Sequence, residues 1–158
     1  MRTGTGRALP RTLLLAAMLY GPAVAAPGGE GGFVIVRPAD LQWHTVPGMP
    51  GIQGAAVVGD PSKPGPYVMR ARFSAGVMTR PHRHSTDRYV VVISGTWYVG
   101  TGEHFDPQNT RPLPPGSFML HPAGAVHFDG AHEEPVEVQI SGTGPVETEW
   151  LDAARVSN

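Results

Sequence analysis

The 158-residue chain contains no cysteine. That absence excludes disulfides, thiolate nucleophiles, thiolate-held zinc and iron–sulfur clusters. Charge is sparse: 16% of residues are Asp, Glu, Lys or Arg, and the formal net charge is −1. No basic stripe points to a nucleic-acid partner. Long hydrophobic runs are also missing. The longest, Thr12–Tyr20 (TLLLAAMLY), has nine residues, too few to span a bilayer. No heptad, fixed-period repeat or long helical periodicity is present, which excludes coiled coils and repeat arrays.

Glycine and proline, by contrast, are abundant, at 21 and 17 residues. Each is costly inside a helix, so a mainly helical chain is ruled out. Yet 41% of residues are apolar, too many for a disordered chain. Turn clusters such as Gly59–Pro66 (GDPSKPGP) recur between short β-branched or alternating segments. Strands are expected at Phe33–Arg37, Leu41–Val46, Gly54–Val58, Tyr67–Phe73, Arg88–Ile93, Thr96–Val99, Ser117–His121, Ala125–Asp129, Val136–Ser141 and Val146–Trp150. Arg88–Ile93 reads as buried on both faces. The pattern predicts an all-β sandwich or barrel of one domain.

Residues 1–25 read as a secretory signal peptide. Arg2, Arg7 and Arg11 precede the apolar run, Gly21-Pro22 breaks it, and Ala23-Val24-Ala25 offers small residues for cleavage after Ala25. A mitochondrial presequence or a buried helix is the plainer alternative. The expected mature chain, 26–158, is then periplasmic or secreted, with no membrane span. Its nine basic and thirteen acidic residues give about −4.

Histidine carries the chemistry. His82 and His84 are two apart, and in a strand such residues share a face. Two imidazoles could then converge on one ion, and His127, after the Pro122-Ala-Gly124 turn, could add a third. Three neutral imidazoles leave open positions on a metal, as catalytic sites require. Surface decoration is the bland reading of an isolated His-x-His pair.

The spacing around these histidines is more specific. Gly76 is followed after five residues by His82-x-His84, after three more by Arg88, and after six by Gly95. Gly116 is followed after five residues by Pro122-x-Gly124 and after two by His127. The region 76–131 resembles the two motifs of the cupin superfamily, and specifically small exported bacterial cupins. The resemblance implies a double-stranded β-barrel of the jelly-roll type. It implies a divalent transition metal (Fe, Mn, Ni, Cu or Zn) held by His82, His84 and His127. It also implies a small-molecule substrate, dioxygenase-type chemistry as a common family theme, and a homodimer.

Two positions depart from the pattern. The family's glutamate ligand is Arg88 here, and a guanidinium cannot ligate a metal. Asp87 is the adjacent substitute, but alternation points it away from His84, and capping a turn or pairing with Arg83 or Arg88 is its plainer role. Turned inward, Arg88 would need a carboxylate partner or would bind an anionic substrate; turned outward, it would be a solvated charge. The second motif's closing Asn is Ala131. His121 is a further candidate for the cavity wall. His104 is expected in a loop, and His44 and His132 at the surface. Trp97, Tyr98, Phe118 and Phe128 are expected in the core. The competing functional classes are a metal-dependent enzyme, a non-catalytic binding or sensing module, and a barrel whose histidines only hydrogen-bond.

Overall fold

The computed structural model describes residues 32–151. The signal-peptide segment and the Ala25 cleavage site lie outside the described residues. After a 3₁₀ turn at Pro38–Asp40, eleven strands follow in chain order. They are β1 (His44–Thr45), β2 (Ile52–Val58), β3 (Gly65–Phe73), β4 (His82–His84), β5 (Arg88–Ser94) and β6 (Trp97–Thr101). The others are β7 (Arg111–Leu113), β8 (Phe118–His121), β9 (His127–Gly130), β10 (Val136–Gly144) and β11 (Thr148–Trp150).

They form two antiparallel sheets. One has the order β1-β2-β3-β10-β5-β8, the other β11-β4-β9-β6-β7. The inner faces close on one core, with Tyr67, Met69, Val90, Val138 and Ile140 from the first sheet and Trp97 and Val99 from the second. This is the jelly-roll architecture of cupins. In β3 the alternation read from sequence holds: Tyr67, Met69, Ala71 and Phe73 are buried, while Arg70 and Arg72 reach outward to Glu137 on β10.

The turn glycines do their expected work. Gly76, Gly95, Gly116 and Gly124 all have positive φ, a region that L side chains rarely adopt. Gly95 has a second constraint, because a Cβ there would collide with the Pro135 carbonyl oxygen.

Several local expectations need correction. Phe33–Arg37 is not a strand; Phe33 and Ile35 are largely exposed, because nothing pairs with that stretch before Pro38 turns the chain. Leu41–Val46 shrinks to His44–Thr45. β5 is buried on one face only: Val90 and Val92 point in, while Tyr89 and Ile93 are exposed. Phe118 is 60% exposed, not a core residue, since it lies opposite Val91 on that same outer face.

Candidate metal centre

Register places the histidines. β4 is antiparallel to β9, with His82 directly opposite His127. His84, two residues on, shares the His82 face. Ring centroids are 4.3 Å apart for His82–His127 and 5.2 Å for His84–His127. From the other sheet, β5 and β8 set Arg88 opposite His121, so both side chains enter from neighbouring strands. The His121 ring lies 3.7 Å from that of His127. Asp129, two residues past His127, follows it to the same face. These residues are buried, with exposures of 4% for His82 and His121, 3% for His84, 2% for His127 and 5% for Asp129.

Hydrogen bonds decide where the lone pairs point. His82 Nδ1 lies 2.8 Å from the Arg80 carbonyl oxygen, and His127 Nδ1 lies 3.1 Å from that of Ala125. A carbonyl only accepts, so both rings carry their proton on Nδ1 and leave a lone pair on Nε2. A metal-binding histidine is oriented in this way. At His84, an Arg88 terminal nitrogen lies 2.6 Å from Nε2. Guanidinium only donates, so His84 Nε2 accepts and its Nδ1–H donates to Thr148 Oγ1 at 3.0 Å. Trp150 lies across His82, 4.7 Å between ring centroids. β11 thus braces β4 from the sheet edge, and a bidentate Arg83–Glu149 pair ties the two strands on the outside.

Electrostatics keep these imidazoles neutral. Burial, followed by the charge of His127, pushes His82 down to about 3. Burial, again with the charge of His127 behind it, takes His121 down to about 2. His84 and His127 are lowered mainly by burial, and Arg88 adds to both shifts. Asp129 is raised by burial, against the opposing pull of His127 and Arg88. Neutral imidazoles are the metal-binding form.

Two groups of donors have ligand atoms mutually within 4.8 Å: His82, His84 and His127, and His121, His127 and Asp129. Among the described residues, His121 Nδ1 and Nε2 and His127 Nε2 are buried with no hydrogen-bond partner. Unpaired buried polar atoms are costly. A metal ion would satisfy them, so the donor set fits the group that the fold family implies.

His82, His84 and His127 are therefore brought together. Asp87 is not: it is exposed and accepts a hydrogen bond from the Ala123 backbone at 2.7 Å, capping the Pro122 turn. Its side chain takes the opposite face from His84, as alternation requires. Arg88 points inward, but its partner is the His84 ring; no carboxylate lies within ion-pair distance of it among the described residues. His121 lines the centre. His44 and His104 are exposed, while His132 stacks on Tyr98 at 3.7 Å and is half-buried.

Asp129, Thr148 and Trp150 were not singled out from sequence. Asp129 had a legible signal, the same two-residue spacing from His127 that marked His82 and His84. Thr148 and Trp150 had none, because their place depends on β11 pairing with β4 across more than sixty intervening residues.

The structure is similar to the polyketide cyclase RemF from Streptomyces resistomycificus, with TM-score 0.61 and 18% identity over 77% of this chain and 88% of that one. It is similar to a sugar phosphate isomerase from a cupin superfamily of Silicibacter pomeroyi, with TM-score 0.58 and 19% identity over 75% and 82%. A cupin-2 domain protein of Rhodospirillum rubrum aligns with TM-score 0.59 and 13% identity over 76% and 80%. At these identities the likeness is one of fold. No curated protein matches the chain. The family model described as the ChrR cupin-like domain matches residues 32–147, most of the chain, and the protein belongs to that cupin family.

Proposed function

We propose that this protein is a metal-dependent enzyme acting on a small organic substrate, with oxygen-dependent, dioxygenase-type chemistry as its reaction class. The observation that carries the reading is the convergence of buried, neutral imidazoles whose Nε2 lone pairs gather around His127. His82, His84 and His127 are the set that the motifs specify. A divalent transition ion bound there would act as a Lewis acid with positions open to substrate. The metal's identity is not set by imidazole, which accepts most first-row ions.

Arg88 has the task of orienting substrate. Its Nε is buried without a partner, and its cation lacks a carboxylate. A substrate carboxylate would meet both needs in the fork geometry that guanidinium favours. Trp97 packs on His121 and Trp150 on His82, and burial of these imidazoles keeps water from the site, which strengthens that attraction. A second reading, a non-catalytic binding or sensing module, is favoured by one observation: Arg88 occupies the lone pair of His84, which weakens the motif's own ligand set. The fold cannot choose, since its relatives are named for unlike reactions.

Export to the periplasm or beyond the cell is part of the proposal and rests on the 1–25 segment. Homodimer formation rests on the exposed apolar row of Tyr89, Ile93, Phe118 and Leu120 on the outer face of β5 and β8.

The test is anaerobic purification of the untagged chain, metal analysis, and oxygen uptake against small carboxylic acids and phenols. Uptake that depends on bound metal supports an enzyme. Bound metal with ligand-induced stabilisation but no turnover supports the binding module.

A further inference from the structure

The proposed metal centre lacks the carboxylate of its family pattern, because Arg88 stands at that position. A buried carboxylate nevertheless lies beside His127. Asp129 Oδ2 is 3.7 Å from His127 Nε2. The His127 proton sits on Nδ1, donated to Ala125, so Nε2 presents a lone pair towards an Asp129 oxygen that, in the ionised carboxylate, also carries only lone pairs. Two acceptors facing each other out of water repel unless a cation lies between them. At 3.7 Å the gap is too long for a direct hydrogen bond.

His121 supplies the second observation. It is 96% buried by its 4% exposure, neither ring nitrogen has a partner, and its ring lies 3.7 Å from that of His127. Cross-strand register explains why it is there. His121 on β8 is the direct neighbour of Arg88 on β5, and opposed residues of an antiparallel pair lie about 5 Å apart at Cβ. A donor lost at Arg88 can be returned from the adjacent strand. Meanwhile the Arg88 guanidinium holds His84 Nε2 and places a fixed positive charge on that side.

We propose that the metal centre is rebuilt around His127, with Asp129 as its carboxylate ligand and His121 as an added imidazole, compensating for the glutamate replaced by Arg88. This rests on the metal-binding reading above and assigns its ligands. His84, held by Arg88, contributes least.

The test is Co(II) titration of the untagged full chain, followed by visible absorption and competition with a chelator. Asp129→Asn and His121→Asn should each weaken Co(II) by about 100-fold or more, above the roughly 10–100-fold that an outer hydrogen-bond partner costs. Asp129→Glu should recover part of the loss, and His84→Gln should cost less than either. Should the variants fold poorly, long-range nitrogen–proton NMR of the wild-type chain titrated with Zn(II) decides. The His121 ring nitrogens should shift on binding; unchanged His121 resonances would overturn the assignment. Wild-type-like Co(II) affinity in both Asn variants would overturn it too, and would leave a proton between Asp129 and His127. A wild-type chain that binds neither ion removes the metal centre itself, a different failure from a centre built on His82, His84 and His127 alone.

Discussion

The β4 side and the β8–β9 side of the imidazole cluster are built by opposite means. On β4, His82 donates to Arg80, His84 donates to Thr148 and accepts from Arg88, and Trp150 covers the His82 ring. On the other side, His121 has no hydrogen-bond partner, and His127 Nε2 faces a carboxylate. A motif states where imidazoles stand. Whether their lone pairs are free to take a ligand is decided by neighbours that the motif does not contain.

His127 belongs to both sides, so its loss gives the largest effect. His127→Ala should abolish stoichiometric metal binding, read by elemental analysis of the folded variant. Full retention would show that neither group of ligands is correct.

Gly100→Ala strikes one side only. The Phe128 ring lies against Gly100, and an added Cβ would collide with it. Phe128 sits between His127 and Asp129 on β9. Overpacking of this kind costs about 1–3 kcal/mol, so the melting temperature should fall. If β9 carries the ligands, metal affinity should fall with it.

Arg88→Glu would erase the contrast by removing the cation from His84 and installing the family's carboxylate. Metal affinity should rise by about tenfold, or about 1.4 kcal/mol, and a His84 substitution made in that background should then become costly. Unchanged affinity would mean that Arg88 does not suppress the His84 side.

Much of this was legible in the sequence, for physical reasons. Turn glycines, the strand alternation of β3 and the spacing of His82, His84 and His127 are local properties, and local periodicity fixes which side chains share a face. The partners of Arg88 were not legible. Its inward direction follows from pairing with His121, and β8 reaches β5 only after the twenty-three residues 95–117. From sequence β5 reads as buried on both faces because apolar content does not distinguish a core face from an exposed apolar one; Tyr89 and Ile93 are exposed. Asp129 carries the same two-residue spacing but no specific signal, since a carboxylate two residues beyond a histidine is common on any strand.

Acid offers a finer probe of the metal-free protein. His82 and His121 bind protons more weakly folded than unfolded, their pKa values lying at about 3 and about 2. Stability from keeping them neutral is therefore fully present above the ordinary histidine value of about 6.5. It is lost as pH falls below that, by up to about 1.4 kcal/mol per pH unit for each group. Asp129, raised by burial, runs the other way at lower pH. Denaturation midpoints measured from pH 7.5 down to roughly pH 5 should decline, and bound metal should delay the decline by holding the imidazoles unprotonated. A flat profile would mean that these rings are not buried as described.

Thr148→Val gives the smallest expected effect. It removes the acceptor for His84 Nδ1–H, worth about 1 kcal/mol of stability. Metal affinity should change by less than about tenfold, the lower end for a ligand's outer partner, because Arg88 already engages His84. A larger loss would return His84 to the ligand set.

Metal content of the untagged full-length chain, purified without chelator and measured by elemental analysis, tests the central claim most directly. The account predicts roughly one divalent transition ion per folded chain, removed by chelation and restored by adding the ion back. A folded chain that holds no such ion, and takes up none when it is supplied, would contradict it.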